Sequence, residues 1–121
     1  MVTVLLVDDQ ERLRGALREL IASADGFELV GEASTGEEAT RAVGRLAPEL
    51  VLMDVVMPGM GGIAAARKII DRRPAPMVVL ISVDDVSAHP EASELGESVP
   101  YVRKQDLKPS RLRELWDARR S

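Results

Sequence analysis

The chain has 121 residues, enough for one domain around one core, and at 45% hydrophobic it is globular rather than disordered. Its formal charge of −4, from 16 basic and 20 acidic side chains, argues against a broad nucleic-acid surface, and the absence of Cys excludes disulfides, thiol catalysis and Cys-zinc sites. The single His89 excludes a His-rich metal site, no window reaches the roughly 18 apolar residues of a membrane span, and Val2 to Val7 is too short for a signal segment, so a cytoplasmic protein is expected.

Val2 to Val7 is an apolar run broken only by Thr3, which reads as a strand buried on both faces, the habit of a parallel sheet. It ends in Asp8-Asp9. Leu13, Ala16, Leu17, Leu20 and Ile21 then recur at helical spacing, which predicts an amphipathic helix from Gln10 to about Ala24, with Arg12, Arg14, Arg18 and Glu19 outward. Asp25-Gly26 stops it. Phe27 to Ala33 is a second strand with a weak spot at Gly31, and Ser34-Thr35-Gly36-Glu37 reads as the cap of a second helix that runs to Ala47-Pro48. Leu50 to Met53 is a third strand. Gly62 to about Arg72 is a third helix with Ile63, Ala66, Ile69 and Ile70 inward, broken by Pro74 and Pro76. Met77 to Ile81 is a fourth strand closed by Ser82. In Val83 to Ser98 a long helix is precluded, because Pro90 falls in the middle and proline inside a helix costs about 3 kcal/mol. At a first helical position proline is tolerated, so the fourth helix is expected to be short, Pro90 to Leu95, ended by Gly96. Pro100 to Arg103 is a short fifth strand suited to a sheet edge. Pro109 opens a last helix with Leu112, Leu115 and Trp116 on one face and Arg111, Arg113, Arg119 and Arg120 around the other. The order is βα five times, an α/β chain with a doubly wound parallel sheet.

The polar residues fall in a pattern. Asp8-Asp9, Asp54, Ser82 and Lys104 all follow predicted strands, and in a parallel sheet those ends share the edge where ligands bind. Crowded carboxylates raise one another's proton affinity, which a divalent cation relieves; oxygen-only ligands suit Mg²⁺. Lys104 is a point charge suited to a phosphate oxygen, and Ser82 can donate one hydrogen bond. Acids, Mg²⁺, a Lys and a hydroxyl around Asp54 are what phosphoryl transfer to that carboxylate needs, with Asp54 as nucleophile.

With Leu6-Val7-Asp8-Asp9, Leu52-Met53-Asp54-Val55-Val56-Met57-Pro58-Gly59, Val79-Leu80-Ile81-Ser82 and Tyr101-Val102-Arg103-Lys104 in this order, nearly the whole chain resembles a receiver domain of the two-component response regulators. Val30-Gly31-Glu32-Ala33 and the Asp54 loop are similar to the subfamily with a helix-turn-helix output domain. The resemblance implies a flavodoxin-like sheet in the order 2-1-3-4-5. It implies Asp54 as phosphoacceptor and Asp9, Asp8, Asp54 and the Val56 carbonyl as the Mg²⁺ site. It further implies Lys104 on the phosphoryl group, Ser82 as switch hydroxyl and Tyr101 as switch aromatic. The implied partner is a sensor histidine kinase. The implied output is a change in the surface of the fourth helix, fifth strand and fifth helix, with dimerisation there or through the first and fifth helices. On this reading residues 1–121 are one receiver domain without an output domain. It is a regulator and not an enzyme acting on an external substrate, with DNA reached only through a further C-terminal domain if the protein is longer.

Four positions depart from the family pattern. Gln105 follows Lys104 where Pro is frequent, Gly61 replaces a common Asp, Val83 replaces a small residue beside the switch Ser, and Pro90 interrupts the fourth helix. Val83 is expected to narrow access to the phosphoryl group. A Mg²⁺-dependent hydrolase with an aspartyl nucleophile would want an acid two residues after Asp54, where Val56 stands. A flavodoxin-like cofactor protein would need a phosphate-cradling loop after the first strand, where Asp8-Asp9 would repel the phosphate. A degenerate receiver, serving only as an interaction surface, is the remaining rival.

Overall fold

The computed structural model describes residues 1–119. Five parallel strands form one sheet: β1 (Val2–Val7), β2 (Phe27–Ala33), β3 (Leu50–Asp54), β4 (Met77–Ser82) and β5 (Tyr101–Arg103), in the order β2-β1-β3-β4-β5. Four α-helices cover it: α1 (Glu11–Ser23), α2 (Gly36–Leu46), α3 (Gly61–Ile70) and α4 (Pro109–Ala118). The doubly wound sheet, its order and the edge position of β5 are as expected.

Both faces of the central strands are buried, and alternation along each strand divides their side chains between two cores. Leu5, Val7, Val51, Met53, Val78 and Leu80 join Ala39, Val43, Ala65, Ala66 and Ile69 on the side of α2 and α3. Val4, Leu6, Leu50, Leu52, Val79 and Ile81 join Leu17, Ile21, Leu112 and Leu115 on the side of α1 and α4. Each full burial of such a side chain is worth about 1.5–3 kcal/mol, so the strand ends are anchored from above and below. Against β2 the register of β1 slips between Val4 and Leu5, next to Gly31, whose missing Cβ would sit 2.5 Å from a Leu46 methyl.

The helices start and stop for local reasons. Thr35 caps α2, its hydroxyl accepting from the Glu38 amide at 3.0 Å, and Ala47 closes it in the left-handed region. Pro109 opens α4 at a position where its lost N–H has no cost. On α1 the predicted face is partly rotated. Ala16 is exposed, while Arg14, expected outward, is half-buried and donates to the Asp8 carbonyl. On α4, Arg111 and Arg113 are exposed, whereas Arg119 folds over the Trp116 ring at 3.5 Å; Arg120 lies outside the described residues.

The fourth helix is where structure and expectation part. Pro90–Leu95 has the expected bounds and Gly96 ends it at φ +89°, but the segment is a 3-10 helix, preceded by another at Val86–Ala88. Two features hold it tight. The Asp85 carboxylate caps the Ser87 amide at 3.1 Å, and His89, with φ −135° and ψ 68°, breaks the helical path immediately before Pro90. Only Ala92, Leu95 and Val99 of this stretch are buried, too small an apolar face to extend a helix against the sheet.

Candidate functional site

Parallel register assembles the site. Val7 lies opposite Met53, so the next residues out of β1 and β3, Asp8 and Asp54, are neighbours. Asp54 lies opposite Ile81, and Ser82 opposite Arg103, so Ser82 and Lys104 leave the same edge of the sheet. Among the described residues the buried polar side chains are Asp8, Asp54 and Ser82, at 0%, 5% and 1% exposure. A sheet that buries its polar residues only at this edge has placed them against the cost of desolvation.

Asp8 is anchored most firmly. Lys104 Nζ donates to its Oδ2 at 2.8 Å, the Gln10 amide donates to its Oδ1 at 3.0 Å, and Arg14 holds its backbone carbonyl at 2.6 Å. The same Lys104 Nζ lies 3.5 Å from Asp54 Oδ1, which also accepts from the Val56 amide at 3.4 Å. Asp9 is exposed, yet one of its carboxylate oxygens lies within 4.8 Å of those of Asp8 and Asp54. Burial, and then the negative charge of Asp8, push the Asp54 carboxyl up to about 6, against the pull of Lys104. One ammonium therefore serves two buried acids and does not fully neutralise either. The donor set fits a hard divalent cation: three carboxylates and no nitrogen or sulfur ligand.

The loop after Asp54 depends on glycine. A Cβ on Gly62 would sit 1.9 Å from the Asp54 carbonyl oxygen, while the Gly62 amide donates to the Val55 carbonyl at 3.0 Å. Helix α3 thus begins in direct contact with the backbone of Asp54, and Gly61 enters it at φ +75°.

Ser82 Oγ accepts from the Asp84 amide at 3.1 Å. Tyr101 is outside the acid cluster, its hydroxyl donating to the Asp84 carbonyl at 2.9 Å. Val56 and Val83 are 56% and 58% exposed, so Val83 is not packed into the cluster. His89 has only 20% of its side chain exposed and sits 3.3 Å from an Asp84 carboxylate oxygen. Sequence reasoning missed Asp84, His89, Arg14 and the close approach of Gly62. Only Gly62 had a signal, since the run Gly59, Gly61, Gly62 is dense for a helix start.

A cavity of about 710 Å³ lies at the other end of the sheet, among Pro48, Arg72, Pro74, Met77 and Trp116, and touches none of these acids. Two of its three arginines serve helix ends: Arg73 donates to the Ile70 carbonyl at 3.1 Å and Arg119 to the Trp116 carbonyl at 2.6 Å. That chemistry closes helices, and the convergent acids at the opposite edge are the candidate site.

Comparison with known proteins agrees with this geometry. The response regulator receiver domain family matches residues 4–116. The response regulator GacA of Pseudomonas viridiflava is 40% identical over 104 residues, 86% of this chain and 49% of that protein. The transcriptional regulatory protein LiaR of Bacillus subtilis is 36% identical over 123 residues, all of this chain and 56% of that protein. The chain thus spans about half the length of these relatives. Among solved structures, a LuxR-family response regulator from Aurantimonas superposes with a TM-score of 0.81 at 32% identity, covering 96% of this chain and 82% of that one. The response regulator domain of Thermotoga maritima CheB gives 0.84 at 26% identity, covering 100% and 98%.

Proposed function

The chain belongs to the response regulator receiver family, and on that premise we propose that it is a phosphorylation-controlled signalling domain whose phosphoacceptor is Asp54. The observation that carries this reading is the state of Asp54: a buried carboxylate beside a second buried acid, with one lysine reaching both. Such a group is held in place, poorly neutralised, and nucleophilic once ionised.

Asp8, Asp9 and Asp54, with the Val56 carbonyl, would hold Mg²⁺, which when bound offsets the charge of the acids and of the incoming phosphoryl oxygens. Asp54 attacks phosphorus; an O–P bond forms as the N–P bond of a phosphohistidine on a sensor kinase breaks, and the electron pair leaves with the imidazole. Lys104 steadies the phosphoryl oxygens as charge shifts between them, and Ser82 donates to one of them. Burial of Asp8 and Asp54 keeps these interactions strong by limiting water. The domain turns over no external substrate. Its output is a change in the face formed by Pro90–Leu95, β5 and α4, read by a second copy or by another protein. Where the protein is longer, the reader is an attached domain, and DNA binding belongs to that domain.

The test is intact mass after incubation with a small-molecule phosphodonor, with Mg²⁺ and with EDTA, beside Asp54→Asn. A gain of one phosphoryl group that needs Mg²⁺ and is lost in the variant is expected; an acyl phosphate retained in Asp54→Asn would mean another acceptor. Lys104→Ala is expected to bind Mg²⁺ but to lose response to a phosphoryl analogue; a wild-type titration would remove Lys104 from the phosphoryl contact.

A further inference from the structure

Three bonds converge on Asp84, a residue that the proposed chemistry does not use. Its amide donates to Ser82 Oγ at 3.1 Å, its carbonyl accepts from the Tyr101 hydroxyl at 2.9 Å, and its carboxylate faces His89 Nε2 at 3.3 Å. A carboxylate only accepts, so Nε2 carries the proton in that contact. His89 is held from the other side as well, with its ring 6.4 Å from that of Tyr101 and its backbone opening the 3-10 helix Pro90–Leu95.

The geometry around Ser82 gives these bonds a consequence. A hydroxyl has one proton and two acceptor lone pairs. Among the described residues Ser82 Oγ makes one bond, as an acceptor from Asp84. The amide thereby fixes the side chain and leaves its proton free for an oxygen on the acid side. Asp84 must stay in place for this to hold, yet it lies on an exposed loop with no buried neighbour beside it in sequence. Tyr101 and His89 are what restrain it.

We propose that Asp84 and His89 are positioning residues for Ser82: the pair fixes the loop after β4 so that the serine proton meets the phosphoryl group on Asp54. Because His89 also opens Pro90–Leu95, the same pair ties occupancy of the site to the segment that replaces a fourth α-helix. By linkage the coupling runs both ways. This rests on Asp54 being the phosphoacceptor.

The contact itself is a partly exposed side-chain hydrogen bond, whose net contribution to folding is small. Stability and positioning can therefore be separated. Mg²⁺ alone, and then Mg²⁺ with beryllofluoride as the phosphoryl analogue, would be titrated into the wild-type protein, Asp84→Ala, His89→Ala, the double variant and Asp84→Asn, followed by NMR. Mg²⁺ affinity is expected to stay unchanged throughout. Beryllofluoride affinity is expected to fall about five-fold in each alanine variant, the lower end of coupling between sites. The double variant should be no weaker than either single one, because one contact is lost in all three. Asp84→Asn keeps an oxygen that accepts from Nε2 and should return to wild-type affinity, and melting midpoints should stay within about 2 °C.

Wild-type beryllofluoride affinity in both alanine variants would overturn the proposal. So would additive losses, or Asp84→Asn as weak as Asp84→Ala, which would mean charge rather than the bond. Affinity lost together with a larger fall in melting midpoint would make the pair an ordinary support of the fold and overturn it too. Failure of the wild-type protein to take up beryllofluoride would instead remove the phosphoacceptor reading and this inference with it.

Discussion

Two strands of the sheet end in a polar residue and then leave for a crossover. They leave differently. β3 ends at Asp54 and turns into α3, whose first residues touch the Asp54 backbone and whose Ala65, Ala66 and Ile69 are fully covered. β4 ends at Ser82 and passes into two 3-10 helices, from which only Ala92, Leu95 and the later Val99 reach the core. The residue proposed to react is thus clamped between a buried strand and a buried helix. The residue proposed to sense the product sits at the head of a loosely buried stretch, held by side-chain bonds. In a signalling domain these are complementary demands, since the reacting carboxylate must not move and the reporting segment must.

The comparison breaks most sharply at Gly62. Gly62→Ala sets a methyl 1.9 Å from the Asp54 carbonyl oxygen and 2.9 Å from the Val55 Cα, both backbone atoms of buried residues. A loss of at least about 3 kcal/mol is expected, measured by urea unfolding. The one glycine between 83 and 99, Gly96, has nothing within 4 Å of where a Cβ would go. A mild effect at Gly62 would mean that the start of α3 is as yielding as the segment after Ser82.

Next in size is the cost of holding Asp54 as an anion. Its carboxyl is raised from 3.8 to about 6, mainly by burial and then by Asp8. Below about pH 4 it is protonated whether folded or unfolded. Between pH 4 and 6 the folded protein keeps a proton that the unfolded chain has released, so this group lowers stability as pH rises. Above pH 6 the full cost stands, on the order of 2–3 kcal/mol at about 1.4 per pH unit. Glu11, Glu32 and Asp85 are lowered by their own partners and pull the other way, but equally in wild type and variant. The difference between wild type and Asp54→Asn therefore reports Asp54 together with its contacts to Asp8 and Lys104. Without divalent cations the variant should be the more stable at pH 7.5 and no more stable at pH 3.5, with Mg²⁺ narrowing the gap. Equal urea midpoints at both pH values would mean that Asp54 is better solvated than its burial implies.

How much of this could be read beforehand follows the same division. Strands announced themselves because a parallel sheet buries both faces, so Val2–Val7, Leu50–Met53 and Met77–Ile81 are nearly continuous apolar runs. Once the strands were placed, Asp8, Asp54, Ser82 and Lys104 fell at their ends without further information, and the register confirms that they share an edge. What escaped was set by contacts between distant segments. Arg14 lies on the polar side of α1 by period, yet the Asp8 carbonyl draws it inward. His89 drew no role because Asp84 and Tyr101, its neighbours in space, carry no spacing signal. Gly62 could be seen to be glycine, but not that the Asp54 carbonyl occupies the place of its side chain. Pro90 was visible as a breaker; whether the helix would shorten as α or tighten as 3-10 depended on how little apolar surface the segment offers the sheet.

That last point makes the smallest effect the most pointed one. Pro90 opens its 3-10 helix at a position suited to its fixed φ, so replacing it with Ala removes no native hydrogen bond and only frees the unfolded chain. A loss of less than about 1 kcal/mol is expected. If proline alone prevented an α-helix, Pro90→Ala would add at least a turn of it, visible as stronger far-ultraviolet ellipticity at 222 nm. No such gain is expected. Asp85 would still cap the Ser87 amide, His89 would still be drawn toward Asp84, and Ala92 and Leu95 would remain the only buried side chains of the 3-10 turn. A short helix with so little to bury is marginal whatever its propensity. A clear gain in helicity would locate the cause in one residue, and the segment would then differ from α3 by a single substitution rather than by how it is held to the sheet.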